Sequence, residues 1–367
     1  VTNVETSVLL AAGGTGGHLF PAQALAEELA RRGRSVDLVT DMRGDRYGTG
    51  FPARNVYRVP AATLSGRSPF AMAHTAWMLG RGLLSAYVLL GKIKPKVVIG
   101  FGGYPTFPPL VAASLRGIST ALHEQNAVLG RANRMLAKRV TRIATSFEAT
   151  KFLDDELSTK ERFTGNPVRL AVMDCASRPY WAPGARGEIE LLVFGGSQGA
   201  RFFSETVPPA LALLPADMRH RLRVVQQARE EDVDSVVAAY TTNGIAAEVS
   251  PFFRDLPRQI ASAHLVIARS GASTIAELTV LGRPSILVPL PHALDNDQLQ
   301  NAMRLAESGG AWCIEQKDLS AERLSREIEA LLANSGKLAA AATVAKSMGR
   351  PDAAVRLADL VDELIVR

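Results

Sequence analysis

The sequence predicts two doubly wound, parallel-sheet α/β domains in one chain. Three observations carry that prediction. An apolar strand entering a glycine turn and then a helix occurs twice, at 7–17 and at 189–199. Short apolar segments alternate with helical patterns in both halves, as in sheets joined by crossover helices. Finally, 367 residues exceed one ordinary core, and a Pro-, Gly- and Arg-rich stretch at 177–187 reads as a linker. The domains implied are 1–168 and 169–350, with the break near Gly165-Asn-Pro-Val-Arg169. Two such Rossmann-like domains face each other across a cleft. The amphipathic segment 351–367 is placed as a helix crossing back to the first domain.

In chain order, Ser7-Val-Leu-Leu-Ala-Ala12 is a strand and Gly13-Gly-Thr-Gly-Gly17 its turn. Pro21 suits the first turn of the helix that continues through Ala22 to Ala30. Basic Arg31 and Arg32 followed by Gly33 stop it. Strands follow at 96–100, 120–123 and 141–145. The second half opens with a strand at 189–194, a turn at 195–199 and a helix from Arg201 to Leu214. Strands at 222–226, 247–250, 265–268 and 285–289 complete it. Several strands end in or near Gly, Ser or Asn, at the carboxyl edge where open α/β sheets place ligands.

Composition narrows the function classes. Aromatic residues make up only 6%, which argues against a base-stacking nucleic-acid surface. The net charge of +6, from 42 basic and 36 acidic residues, permits anionic lipids or substrates without demanding nucleic acid. Cys175 and Cys313 lie far apart and outside any metal-ligand spacing, so a reducing, cytosolic setting is the default. Residues 1–7 carry no positive leader, and the apolar run after them reads as a strand rather than a signal peptide. No uninterrupted apolar run is long enough to span a bilayer.

The most informative motif is Leu265-Val-Ile-Ala-Arg-Ser-Gly-Ala-Ser-Thr-Ile-Ala-Glu277. A strand, a turn through Ser270 and Gly271 and a helix start aim backbone N–H groups and a helix dipole at one point, which suits a phosphate. A carboxylate beside that point, Glu277, suits a ribose diol. A capped helix with Glu277 in solvent fits the same residues. Gly13-Gly-Thr-Gly-Gly-His18 permits close backbone approach but fails the dinucleotide fingerprint, where Leu19 holds the third glycine's place. It also fails the P-loop pattern, because no Lys-Ser/Thr follows. His18 at this edge is a candidate base or diphosphate ligand. His123-Glu-Gln-Asn126 crowds polar side chains after a strand, as a ligand site or a self-satisfied turn would. Asp232-Val-Asp234 and Asp295-Asn-Asp297 spell DxD, but neither predicts a dedicated metal cage. Residues 68–90 are unusually apolar and carry Arg67, Arg81, Lys92, Lys94 and Lys96 in or near them. Docking on an anionic membrane and two ordinary core-facing helices both fit.

Taken together, these segments resemble the peptidoglycan N-acetylglucosaminyltransferase family (MurG). The matching runs are Gly13–His18, 100–104, 123–126, 165–169, 195–201, Arg269-Ser-Gly-Ala272 with Glu277, and Gln298 through Asn301-Ala302. They follow the family's order across nearly the whole chain. The resemblance implies a GT-B fold and a metal-free, cofactor-free inverting transfer of N-acetylglucosamine from UDP-N-acetylglucosamine to lipid I, giving lipid II. It implies that Glu277 accepts from the ribose hydroxyls. Ala272, Ser273, Thr274, Ile275 and Ala276 cradle the diphosphate with help from Ser197. Phe253 flanks uracil through its backbone, and Gln298 touches the sugar. Thr15, Gly16, Gly17, Asn126 and Arg169 complete the donor site from the other side of the cleft. His18 is the candidate base and Glu124 a lesser one. The implied setting is peripheral, on the cytoplasmic face of the bacterial inner membrane, with an anionic membrane surface and other cell-wall synthesis proteins as partners. Two rivals stay open: another GT-B transferase with a different acceptor, and a nucleotide-sugar-binding scaffold without turnover.

Overall fold

Parallel β-sheet organises both halves of the chain. The computed structural model describes residues 7–13, 15–40, 51–60, 69–291 and 293–366; side chains at 69–76, 197–200 and 294 lie outside the description. The first half contributes β1 (Ser7–Ala11), β2 (Ser35–Thr40), β3 (Asn55–Arg58), β4 (Val97–Gly100), β5 (Ser119–Glu124), β6 (Arg142–Thr145) and β7 (Glu161–Phe163). They form a seven-stranded sheet in the order β3-β2-β1-β4-β5-β6-β7. The second half contributes β8 (Ile189–Phe194), β9 (Leu222–Gln227), β10 (Ala246–Ser250), β11 (Leu265–Ala268), β12 (Ser285–Leu287) and β13 (Ala311–Cys313). These form a six-stranded sheet in the order β10-β9-β8-β11-β12-β13.

In each sheet the strand order reverses once. The reversal lies between β1 and β4, where Leu10 pairs with Ile99, and between β8 and β11, where Val193 pairs with Ile267. Crevices for ligands form outside the carboxyl ends of strands at such points. Buried on both faces, the central strands read as near-continuous apolar runs. Val8 and Leu10 join Leu25 and Leu29 in one core, while Leu9 joins Val98, Leu122 and Leu136 on the opposite face. In the second half Leu191 and Val193 pack with Phe203, Val207 and Ile328.

The chain divides into one compact unit of Val1–Arg169 with Arg350–Arg367, and another of Leu170–Gly349. Arg169, which the sequence placed in the second domain, belongs to the first. Its guanidinium stacks 4.0 Å from the Phe20 ring. The helix Ala353–Val366 packs on the helix Gly16–Arg31 and buries Leu357, Leu360, Val361 and Leu364 in the first core. Arg32 bonds Asp359 at 2.8 Å and Asp362 at 2.9 Å, and Arg34 reaches Asp362 at 3.0 Å.

Some elements differ from expectation. The first helix begins at Gly16 rather than near Pro21. Pro21 therefore sits inside it, and the missing N–H leaves the Gly17 carbonyl without its helical donor. Residues 69–93 form one helix, Pro69–Ile93, not two. Strands β2, β3, β7 and β13 were not foreseen. The 177–187 stretch has no regular structure but is pinned: Tyr180 donates its hydroxyl to the His264 carbonyl at 2.9 Å.

Candidate active site

At the first sheet's reversal, three loops meet because their strands are neighbours. The helix start after β1 carries His18, the turn after β4 carries Gly102 and Gly103, and that after β5 carries Gln125 and Asn126. Thr15 is extended and offers no side-chain cap, so the N–H groups of Gly16 and Gly17 find no helical or capping acceptor among the described residues. Gly14, next to it, lies outside the described residues. Gly102 and Gly103 adopt φ of +85° and +77°; a Cβ at Gly102 would stand 3.2 Å from the His18 ring. Only glycine allows both the backbone turn and this close approach. Gly16 is covered by Phe20, on which Arg169 lies.

Behind His18 the polar side chains are tied to one another. His18 Nδ1 lies 3.3 Å from Gln125 Oε1. Gln125 Nε2 is 3.0 Å from His123 Nδ1 and also donates to the His123 carbonyl at 3.0 Å. His123 Nε2 reaches the Gly165 carbonyl at 3.0 Å. His123 is fully buried, and burial pushes its pKa down to about 4, so it is neutral at physiological pH.

Glu124, also buried, accepts from Asn126 N (3.0 Å), Asn126 Nδ2 (3.3 Å), Gly130 N (2.8 Å) and Asn133 Nδ2 (2.7 Å). Burial raises its pKa against the opposing pull of these donors. With both oxygens engaged, its carboxylate organises the 124–133 loop. That geometry suits an organiser better than a base.

At the second sheet's reversal the loops after β8 and β11 lie side by side. The helix Ala272–Leu281 starts at Gly271 with no side-chain cap, and its first hydrogen bond runs from Ile275 N to Gly271 O. The N–H groups of Ala272, Ser273 and Thr274 therefore find no helical acceptor. Ser273 Oγ is buried without a hydrogen-bond partner among the described residues. Ser270 instead donates its hydroxyl to the Gln298 carbonyl at 2.7 Å, and Asn301 Nδ2 donates to the Ser270 carbonyl at 3.1 Å. The turn is thus fixed to the helix Asp297–Glu307. Gln298 Oε1 accepts from Leu290 N at 3.0 Å, which orients its amide. Glu277 is 5% exposed, so the reading that left it in solvent is set aside.

Arg269 is a residue the sequence reading quoted but gave no role. It donates to the Val288 and Pro289 carbonyls at 3.1 Å and to Gln316 Oε1 at 2.6 Å, and lies 5.0 Å from the Phe203 ring. Burial lowers its pKa to about 10, which leaves it charged at neutral pH. Phe253 is half-buried just past β10, at the sheet's edge, and the Ser197 side chain lies outside the described residues. Among the described residues no group of three or more His, Cys, Asp and Glu side chains could hold a metal ion. The second DxD run is used locally: Asp297 Oδ1 accepts from Gln298 N at 2.7 Å.

Two doubly wound nucleotide-type domains, one with an open helix start beside a buried carboxylate, define a class: GT-B-fold proteins that handle nucleotide sugars. The chain belongs to glycosyltransferase family 28, matching its N-terminal domain over residues 8–145 and its C-terminal domain over residues 190–357. It is 52% identical to the UDP-N-acetylglucosamine–N-acetylmuramyl-(pentapeptide) pyrophosphoryl-undecaprenol N-acetylglucosamine transferase of Chelativorans sp. (strain BNC1), over 98% of this chain and 95% of that one. The enzyme of the same name from Brucella suis biovar 1 (strain 1330) is 51% identical over 98% and 94%. The crystal structure of Acinetobacter baumannii MurG superposes with a TM-score of 0.79 at 28% identity, covering 98% of this chain and 99% of that one.

Proposed function

We propose that this protein transfers N-acetylglucosamine from UDP-N-acetylglucosamine to the C4 hydroxyl of the muramyl sugar of lipid I, giving lipid II with inversion at the anomeric carbon. The observation that carries the reading is the Gly271 helix start. Its unclaimed N–H groups and the Ser273 hydroxyl suit a diphosphate, and buried Glu277 in the second turn suits a ribose diol. Gln298 keeps its amide N–H groups for the sugar, Phe253 supplies the uracil contact, and residues 272–276 and Ser197 hold the phosphates.

In the reaction the C4 oxygen forms the new bond to C1 as the C1–O bond to the diphosphate breaks. UDP leaves with that electron pair, and the helix N-terminus stabilises the growing charge without reorganising. The hydroxyl proton passes to His18. Thr15, Gly16, Gly17, Asn126 and Arg169 are retained as further donor contacts, and Glu124 as the organiser of the loop that carries Asn126.

The lipid acceptor calls for a membrane-facing surface. No helix among the described residues is long and apolar enough to cross a bilayer. The helix Pro69–Ile93 instead exposes Trp77 (56%), Leu84 (66%), Tyr87 and Val88. Arg81 lies over the Trp77 ring and Arg116 over the Tyr87 ring. Apolar side chains ringed by cations suit peripheral docking on an anionic leaflet. Leu84→Glu is expected to reduce co-sedimentation with anionic vesicles while sparing turnover of a detergent-soluble acceptor.

UDP release with lipid I, set against unrelated lipid, glycan and small-aglycone acceptors, tests the reaction. Turnover confined to lipid I is expected. Activity only with other acceptors overturns the acceptor; donor binding with no transfer at any pH overturns the enzyme.

A further inference from the structure

The loop behind His18 fixes more than a ring position. The Gly165 and His123 carbonyl oxygens can only accept hydrogen bonds. Gln125 therefore turns its amide nitrogen toward the His123 carbonyl, 3.0 Å away, and its oxygen toward His18. His123 must carry its proton on Nε2 to donate to Gly165, which leaves its Nδ1 to accept the second Gln125 N–H. Gln125 Oε1 then requires a proton on His18 Nδ1, and the lone pair of a neutral His18 falls on Nε2.

We infer that Gln125, backed by His123 and the Gly165 carbonyl, is a positioning residue that holds His18 in the one neutral tautomer with its basic lone pair on Nε2. Two observations outside the chain of bonds support this. His123 is fully buried and stays neutral, so its Nδ1 remains an acceptor across the working pH range. The far end is immobilised as well. Gly165 has φ of +83°, its N–H donates to Thr145 O at 3.1 Å, and a Cβ there would stand 2.7 Å from Arg350 Cβ. A neutral amide does here what a carboxylate does behind many catalytic histidines: it selects the tautomer and aims the ring.

This inference rests on His18 being the base, and its test separates the two. Nitrogen-15 NMR of the resting protein, labelled at histidine, reads the tautomer without any turnover. The expected result is a donor-type Nδ1 and an acceptor-type Nε2 for neutral His18. Gln125→Met, which keeps length but removes both amide functions, is expected to mix the two tautomers. It should lower kcat about 10- to 100-fold with the donor KM within about twofold. Gln125→Glu keeps an acceptor for Nδ1–H and is expected to restore the single tautomer and part of kcat. An Nε2–H tautomer in the wild-type protein overturns the inference even if neither variant folds. So does Gln125→Met with an unmixed tautomer. A His18→Ala protein that turns over normally overturns the base assignment instead, and leaves the tautomer result standing.

Discussion

The two sheet reversals are built alike and equipped differently. Both set a glycine turn and a helix start at the carboxyl edge of a parallel sheet, and neither helix start is closed by a side-chain cap. At the first, side chains do the work: His18, Gln125 and His123 form one hydrogen-bonded chain, and Asn133 with Glu124 forms a second pair beside it. At the second, the main chain does it: the N–H groups after Gly271 stand open, and Ser270, Asn301 and Gln298 serve to hold the turn still. A fixed dipole suits a charge that arrives already formed on a ligand. A titratable, oriented side chain suits a proton that must move. The fold supplies the location in both cases, and the residues placed there decide between binding charge and moving it.

That contrast predicts which variants damage which quantity. The largest effect is expected from His18→Ala, a fall in kcat of about 100- to 10,000-fold with donor affinity nearly unchanged. A comparable loss of UDP binding by calorimetry breaks the division of labour. Glu277→Ala is expected to do the reverse, weakening UDP binding by about 1–3 kcal/mol through lost charge-assisted hydrogen bonds. Unchanged affinity removes the ribose assignment.

The next effect concerns acid. Burial depresses His123 below its unfolded value, so the unfolded chain binds more protons between about pH 6.5 and about 4. The stability tied to neutral His123 is complete above that window and lost as pH falls through it. Acidifying from pH 7 to pH 5 should cost on the order of 1–2 kcal/mol. His123→Asn, though less stable at pH 7, should show a flatter pH dependence in denaturant unfolding; an equal slope removes this acid weakness. The smallest effect is expected from Gln298→Leu, about 1 kcal/mol in UDP-N-acetylglucosamine affinity with UDP itself bound normally. Equal losses for both ligands shift Gln298 from the sugar to the phosphates.

Much of this was legible in the residues, and the exceptions have physical reasons. Glycine turns stand out because strained backbone and close approach select one residue type, so the glycine turns after β1 and β8 could be read directly, whereas the strand order that makes each a reversal point could not. Strand β2 was missed although its last five residues are buried, because Asp37 interrupts its apolar run. That carboxylate is tolerated because Arg54, Asn55 and Ser7 all donate to it. Strands β3, β7 and β13 are short and lie at sheet edges, where one face need not be apolar. The set behind His18 was half visible: His123, Glu124, Gln125 and Asn126 were marked as a cluster. Its direction was not, because the Gly165 carbonyl lies 42 positions from His123 and only the β5-β6-β7 pairing brings it near.

The helix Ala353–Val366 gives the first unit an unusual order of assembly. Its core side chains Leu357, Leu360 and Val361 belong with Val8 and Leu10, yet the ribosome delivers them only after all of Leu170–Gly349. Synthesis proceeds from the N-terminus, so the unit begun first is completed second, and Leu170–Gly349 can fold as an uninterrupted block while its neighbour waits with an open apolar flank. During that interval the nascent sheet is exposed to chaperones and to mispairing in a way the later block is not.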